Sequence, residues 1–353
     1  MRLPTSLPRH PNRVAAVAVL AVLAACRGVP GATPSAPVST VVSAAEAPPP
    51  PPARWLGLLG EYGPDVAVTI VLERDGRLWV RSAAGEIPFD EWGDGEFTSR
   101  QAAPARLVFR RDEHLVASRL ELGGSVLERR QIGPASGNQL VITPVRPIAD
   151  LRREALAAKP PVERGPFLPS DLVELTKLDS TIKLEIRYAT SNNLFGTPFY
   201  TRARAFLQRP AAEALVRANA RLRPLGYGLL VHDGYRPWYV TKMFWDATPE
   251  DKHIFVANPA EGSKHNRGAA VDLTLYELAT GRPVEMVSTY DETSPRAYPD
   301  YPGGTSRQRW HRALLRRVMD AERFTVYEAE WWHFDFADWR RYPIGTMVFE
   351  EIP

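Results

Sequence analysis

Two short stretches that lie far apart in the chain constrain its fold most, because together they look like one metal site. The first, residues 263–272, contains His265 and Asp272, and the second, residues 330–333, ends in His333. Two imidazoles and one carboxylate form a set of three ligands that leaves Zn²⁺ a fourth position for water. If the fold brings the two stretches together, the chain has the parts for metal-assisted hydrolysis.

Each of these residues also has a simpler interpretation. His265 could be a surface histidine with an unrelated, solvated Asp272, and His333 could be a satisfied core residue of a hydrophobic strand. The pattern Ser-x-His-x-x-Gly-x-Ala-x-Asp favours the metal site, because the turn at Gly268 lets a loop histidine and a strand aspartate face the same point.

Glu330 adds a carboxylate that could take a proton from a metal-activated water. On a regular strand, however, residues 330 and 333 point to opposite faces of the sheet. We therefore expect Glu330 to lie on a loop or a bulge if it approaches the metal that His333 binds. Asp335 shares strand parity with His333, so it could orient that imidazole or be merely structural.

Arg236 is a candidate for stabilising negative charge in a reaction. It follows a strand-like run and a glycine within residues 232–237, and it precedes a proline, which places it at the end of an element. From there it could project into a cleft and stabilise an oxyanion. An exposed or salt-bridged arginine is the alternative.

The N-terminus predicts export and lipid attachment. Residues 1–25 combine three arginines with a short apolar run, which is typical of a signal peptide. They end before Cys26 in a Leu-Ala-Ala-Cys tetrad that resembles a lipoprotein lipobox, with a plain secretory signal as the alternative. Cys26 is the only cysteine, so no intramolecular disulfide can form. We expect a lipidated Cys26, a Pro-rich tether over residues 26–53 and a location outside the cytoplasm, on the envelope side of a bacterial membrane.

The net charge gives no argument for nucleic-acid binding. The formal charge is +3, from 44 basic and 41 acidic side chains. Removal of residues 1–25 takes away three arginines and no acids, so 44 − 3 leaves 41 basic against 41 acidic side chains. A neutral mature chain lacks the basic footprint of a nucleic-acid-binding protein.

The rest of the chain predicts two folded parts. Residues 54–135 indicate a small all-β domain of five or six antiparallel strands, with an Asp75-Gly76 hairpin turn, whose partner the sequence does not identify. Residues 136–170 form a linker, and residues 171–353 predict an α+β domain with a mainly antiparallel sheet. The predicted strands of the first part are residues 66–72, 77–81, 96–98, 106–110, 118–122 and 126–130. The later strands are residues 183–188, 228–233, 270–275 and 332–336, and the helices are residues 150–156, 211–222, 238–245 and 306–323.

Five motifs in the second half occur together in one known family. They are residues 187–190 with Asn193, and then residues 233–237, 263–272, 290–292 and 330–333. In this combination and order, residues 171–345 resemble the zinc D-alanyl-D-alanine dipeptidases of the VanX type. That family shares its fold with metallo D,D-carboxypeptidases and the hedgehog signalling domain.

The resemblance implies a role for each candidate residue. It implies one Zn²⁺ held by His265, Asp272 and His333, with Glu330 as general base and Arg236 stabilising the tetrahedral oxyanion. It also implies that Tyr188 and Asp291 hold the free amine of a dipeptide substrate and that Ser263 positions its carboxylate. Without the resemblance, Tyr188 could be a core aromatic and Asp291 a turn residue.

Two other functions remain open at this point. A peptidoglycan D,D- or L,D-carboxypeptidase of the same fold would have a cleft that is open on the amine side of the scissile bond. A non-catalytic, zinc-stabilised module that binds the envelope would need neither Glu330 nor Arg236, and the presence of both argues against it.

Overall fold

The computed structural model describes residues 46–133 and 140–353, which contain six α-helices and fifteen β-strands. The predicted signal peptide, Cys26 and most of the tether lie outside these residues. Residues Ala44–Pro353 form one compact unit by their contacts, so the domain boundaries at residues 53, 135 and 170 stay predictions. No helix in the described ranges is long and apolar enough to span a bilayer.

The first part of the described chain is an antiparallel sheet in which each strand pairs with the next. Its eight strands within residues 46–133 follow the short helix α1 (Ala53–Leu56). They are β1 (Gly60–Tyr62), β2 (Thr69–Arg74), β3 (Arg77–Ser82), β4 (Gly85–Gly93), β5 (Glu96–Ser99), β6 (Arg106–Arg111), β7 (Ala117–Leu122) and β8 (Ser125–Glu128).

This sheet closes on itself. The amide of Gly63 donates to the carbonyl of Glu128 at 2.9 Å, and the amide of Arg130 donates to the carbonyl of Glu61 at 2.8 Å, which joins the two edges. Its centre is filled by buried apolar side chains, among them Phe89 and Phe97. The interior of this closed sheet is therefore a packed hydrophobic core.

The hairpin predicted at Asp75-Gly76 is present. Both residues have positive φ, 52° and 74°, as a two-residue type I′ turn requires. The predicted strand at residues 66–72 begins later, at Thr69, because Pro64 is followed by a 3-10 turn at Asp65–Ala67. The count of five or six strands was too low: β1 has only three residues, and β4 contains a proline, which usually argues against a strand.

The second part combines helices with a five-stranded sheet and a two-stranded sheet in residues 140–353, as the predicted α+β class requires. Its helices are α2 (Ile148–Ala157), α3 (Leu175–Leu178), α4 (Arg209–Leu222), α5 (Trp238–Ala247) and α6 (Ser306–Ala321). Its strands are β9 (Leu172–Glu174), β10 (Lys183–Leu184), β11 (Phe206–Gln208), β12 (Tyr227–Asp233), β13 (Ala270–Glu277), β14 (Phe324–Tyr327) and β15 (Glu330–Phe336).

The five-stranded sheet positions the candidate site. Its order is β10-β12-β13-β15-β14, and only the β10–β12 pair is parallel. Asp272 on β13 is the register partner of both Asp233 on β12 and His333 on β15. Directly opposite residues share a face of a sheet, so these three side chains form a row across its centre. Helices α4 and α6 pack against each other. Helix α4 also packs on β12, and helix α6 packs on β13 and β14.

The strand predicted at residues 183–188 is wrong beyond Leu184. The amide of Glu185 still bonds Val231, but a 3-10 turn follows at Arg187–Ala189. There the carbonyl of Tyr188 accepts from the amides of Phe199 and Tyr200, at 2.8 Å each. These long-range bonds replace the ladder bonds that the alternating pattern predicted.

Two buried carboxylates of the first sheet bind the second part of the chain. Glu73 accepts from the amide of Ser306 at 2.7 Å, which satisfies one of the free amides at the start of α6. Its own amide donates to the carbonyl of Gly304 at 3.0 Å. Glu61 accepts from the hydroxyl of Tyr301 at 2.9 Å. We call this set of contacts the seam.

Two buried histidines predict how stability depends on pH. Burial lowers the pKa of His232 and of His311 from 6.5 to about 4. Because the folded pKa lies below the unfolded one, stability is full above pH 6.5 and is lost as the pH falls through 6.5 toward 4. We expect the free energy of unfolding to fall by about 2 kcal/mol per histidine between pH 7 and pH 5.

Urea unfolding at the two pH values measures this loss. His311→Gln should reduce the pH-dependent part, whereas His114→Gln should not, because the His114 side chain is 79% exposed. An equal pH dependence in His311→Gln and the original chain would contradict the assignment to His311.

Candidate active site

The structure brings His265, Asp272 and His333 together. His265 Nε2 lies 3.1 Å from His333 Nδ1 and 3.4 Å from Asp272 Oδ1, and His333 Nδ1 lies 2.9 Å from Asp272 Oδ1. Within the part of the chain that the structure describes, these three side chains form a group of potential metal ligands whose donor atoms all lie within 4.8 Å of one another. A tetrahedral ion with ligand bonds of about 2.0–2.1 Å needs donors about 3.3 Å apart. The spacing therefore fits a small divalent cation.

The other ring nitrogen of each histidine is already occupied. His265 Nδ1 lies 2.8 Å from the carbonyl of Gly234, which only an N–H can satisfy. His333 Nε2 lies 3.0 Å from Asp335 Oδ1. These partners assign the protons to the outer nitrogens, so two lone pairs face each other across the centre. A cation between them relieves that repulsion, and the donor set suits zinc.

Asp272 is held as a carboxylate. Its Oδ2 accepts a hydrogen bond from the hydroxyl of Tyr290 at 3.0 Å. Burial alone would raise the pKa of Asp272, but the positive charges that His265 and His333 carry when protonated hold it well below its ordinary value, and a bound cation would supply that charge in their place. Two imidazoles and an ionised carboxylate are ready to bind a metal.

Glu330 reaches this centre through a bulge, as predicted. β15 pairs Phe334 with Val326 and then Glu330 with Tyr327, so three residues of β15 have no partner on β14. This irregularity breaks the alternation of side chains and places Glu330 Oε2 3.9 Å from His333 Nδ1. Burial raises the pKa of Glu330 and Asp272 adds to the rise, whereas His333 opposes it. A raised pKa suits a carboxylate that must accept and return a proton near neutral pH.

Arg236 is both salt-bridged and part of the cleft wall. Its Nη2 and Nε donate to Asp233 Oδ2 at 2.7 and 3.1 Å. Asp233 Oδ1 accepts from the hydroxyl of Tyr200 at 2.7 Å and from the amide of Gly234 at 2.9 Å. The guanidinium also lies 4.7 Å from the ring centre of Phe244. The arginine is therefore fixed in place, with its charge directed at the cleft.

Tyr188 and Asp291 meet in the same cleft. The tyrosine hydroxyl donates to Asp291 Oδ2 at 3.1 Å, and Asp291 adopts a positive φ of 59°. Burial raises the pKa of Asp291 to about 8, and the charges of Asp272 and Glu330 contribute. A cation beside it would lower that pKa again, so the position favours a positively charged group.

Ser263 lines the cleft but also has a structural task. Its hydroxyl oxygen accepts from the amide of His265 at 3.2 Å. The turn of His265–Arg267 then ends at Gly268, whose φ of 63° favours glycine. The complete cleft has a volume of about 460 Å³.

Comparison with known proteins gives the family. The profile of Peptidase_M15, described as D-ala-D-ala dipeptidase, matches residues 169–347. The D-alanyl-D-alanine dipeptidase of Escherichia coli K12 is 31% identical over 180 residues, which are 51% of this chain and 92% of that protein. The chain belongs to the D-Ala-D-Ala dipeptidase family. It is accordingly a metallopeptidase.

Other dipeptidases of the family are about as similar. The D-alanyl-D-alanine dipeptidase of Enterococcus faecalis V583 is 35% identical over 44% of this chain and 87% of its own length. That of Streptomyces coelicolor is 35% identical over 47% of this chain and 92% of its own length. A solved structure titled "Crystal structure of SurE" covers 24% of this chain at 22% identity and a TM-score of 0.20, too low to bear on the fold.

Sequence reasoning missed two supporting residues of this dipeptidase-family site. Asp233, which binds Arg236, and Tyr290, which donates to Asp272, were both inside motifs but had no assigned role. Asp233 precedes a glycine turn and stands three residues before Arg236, which is a usable signal for an ion pair. Nothing in the sequence indicates that Tyr290 would reach Asp272, because that contact depends on the path of the loop.

Proposed function

We propose that this chain is a zinc-dependent dipeptidase that hydrolyses D-Ala-D-Ala to two molecules of D-Ala. The observation that carries the proposal is the hydrogen bond between Tyr188 and Asp291 in the cleft of the metal triad. A carboxylate and a hydroxyl at that position suit the free ammonium of a dipeptide. The names of the relatives support the same substrate.

His265, Asp272 and His333 would hold the zinc ion. When bound, zinc acts as a Lewis acid on a water molecule and on the substrate carbonyl. Asp335 and the carbonyl of Gly234 hold the two imidazoles in the orientation that this requires.

The other residues divide the remaining work. Glu330 accepts a proton from the water that attacks the scissile carbonyl, and then gives it to the leaving amine as the C–N bond breaks. Arg236 stabilises the negative charge that develops on the carbonyl oxygen. Ser263 is placed to position the substrate carboxylate.

The proposal extends to fold group, domains and location. We infer that the catalytic part has the hedgehog/D,D-peptidase fold, preceded by the closed β sheet as a domain of its own.

We also infer that lipid on Cys26 anchors the protein outside the cytoplasm, which rests on the lipobox-like tetrad. Incorporation of labelled palmitate that survives in Cys26→Ala would contradict this anchor.

A comparison of the rates at which different substrates release D-Ala tests the function. The purified zinc-loaded protein should release D-Ala from D-Ala-D-Ala faster than from a blocked tripeptide or a pentapeptide stem. The physical reason is that a blocked amine has no charge for Asp291 and clashes with it. Faster release from the longer peptides would show the carboxypeptidase instead, and binding of envelope fragments without any release would favour the non-catalytic module.

Asp291→Asn tests the amine site. We expect KM for D-Ala-D-Ala to rise about 10- to 100-fold with a smaller change in kcat, because a hydrogen bond to a charged group contributes about 1.5–3 kcal/mol. Asp300→Asn, at an exposed position of the same region, is the matched control. An unchanged KM would remove Asp291 from substrate binding.

A further inference from the structure

A second cavity adjoins the cleft and is bordered by two of the same carboxylates. This side cavity has a volume of about 390 Å³ and shares Asp291 and Glu330 with the cleft. Ile254 and Phe255 also line both spaces. Apart from Asp291 and Glu330, its lining includes no residue of the proposed metal site or amine site.

The walls of the side cavity include several aromatic and apolar side chains. Trp332 is buried, and its ring packs edge-on against Tyr290, with 5.6 Å between ring centres. Pro295, Tyr298 and Tyr327 contribute further wall surface. The transfer of an apolar side chain from water onto such a surface lowers the free energy.

The two shared carboxylates define what can enter. The placement of a substrate in this space rests on the proposed dipeptidase function. In a dipeptide, the Cα of the first residue carries the ammonium group, the scissile carbonyl and the side chain. With the ammonium at Asp291 and the carbonyl next to Glu330, the side chain is the substituent left to occupy a space that borders both.

The side cavity is much larger than the side chain of D-Ala. A methyl group is comparable in size to a water molecule, whose share of liquid volume is about 30 Å³. We infer that the side cavity receives the side chain of the first residue, so that the substrates include D,D-dipeptides with a large apolar first residue, of Leu or Phe size, before D-Ala.

The experiment compares D-Leu-D-Ala, D-Ala-D-Ala and N-acetyl-D-Ala-D-Ala as substrates of the zinc-loaded full chain. We expect kcat/KM for D-Leu-D-Ala to exceed that for D-Ala-D-Ala about tenfold, since each buried methylene contributes to binding. An equal or lower value for D-Leu-D-Ala would overturn the inference while leaving the dipeptidase function intact. Preferred cleavage of the acetylated dipeptide would overturn both, because the side cavity would then hold a peptide extension. Cleavage of none of the three would also overturn both.

A variant that fills the side cavity gives a second measurement. Ala329 lines it and is half-buried, so Ala329→Leu should lower the ratio of kcat/KM for D-Leu-D-Ala to that for D-Ala-D-Ala about tenfold. Ala83→Leu, the same change in an exposed turn of the first sheet, should leave this ratio unchanged. An unchanged ratio in Ala329→Leu would contradict the placement of the side chain.

Discussion

Glu330→Gln is expected to lower turnover of D-Ala-D-Ala by about 10²–10⁴-fold, the contribution of a positioned general base. The amide keeps the shape of the side chain but can neither accept the proton of water nor return it to the leaving amine. Zinc content should stay at one ion per chain, because the three proposed ligands do not include Glu330. Turnover and metal analysis of the same preparation measure both effects.

The turn before β15 provides the control. Glu328 is an exposed carboxylate two residues away, so Glu328→Gln makes the same chemical change without removing the proposed base. If Glu330→Gln kept its turnover, the base would have to be another group. If it lost zinc along with turnover, Glu330 would belong with the ligands.

Arg236→Met is expected to damage both chemistry and stability. Loss of a group that stabilises an oxyanion costs about 10²–10³-fold in kcat. The substitution also leaves Asp233 buried without its cation, and a broken buried pair costs about 3–5 kcal/mol of the free energy of unfolding. Kinetics and urea unfolding report the two effects separately.

A double variant separates catalysis from folding. In Arg236→Met with Asp233→Asn, no buried charge is left unpaired, and the amide oxygen can still accept from Tyr200 and Gly234. We expect stability to recover substantially and turnover to stay low. Arg221→Met, which breaks a partly exposed pair with Glu322, is the control for a lost arginine. Recovery of turnover in the double variant would show that Arg236 acts only as a structural partner.

The parts that sequence predicted well depend on local rules. The Asp75-Gly76 turn needs two residues that tolerate positive φ, and β13 and α6 follow plain apolar patterns. The metal triad could be proposed because its residue types and the Gly268 turn are visible in the sequence. For Glu330, strand parity even indicated where the strand had to be irregular.

The parts that sequence missed depend on distant contacts. The segment around Tyr188 leaves the sheet because Phe199 and Tyr200 bond its carbonyl, and no local pattern encodes that choice. The side cavity likewise requires the 3-10 helix Glu250–Phe255 to meet the turn before β15. Such features arise from the tertiary arrangement of segments that are individually unremarkable in sequence.

The seam has a consequence for how this protein can be divided. Glu61 accepts from the hydroxyl of Tyr301, and the Glu73 carboxylate accepts from the amide of Ser306. Arg309 also donates to the backbone carbonyl of Glu73 at 2.6 Å. A chain shortened to its second half would lose these acceptors, and α6 would begin without the carboxylate that now receives its first amide. The two halves therefore fit each other as a matched pair: a first sheet taken from another protein would keep these contacts only if it supplied hydrogen-bond acceptors for Tyr301 and for the first amide of α6 at the positions of Glu61 and Glu73.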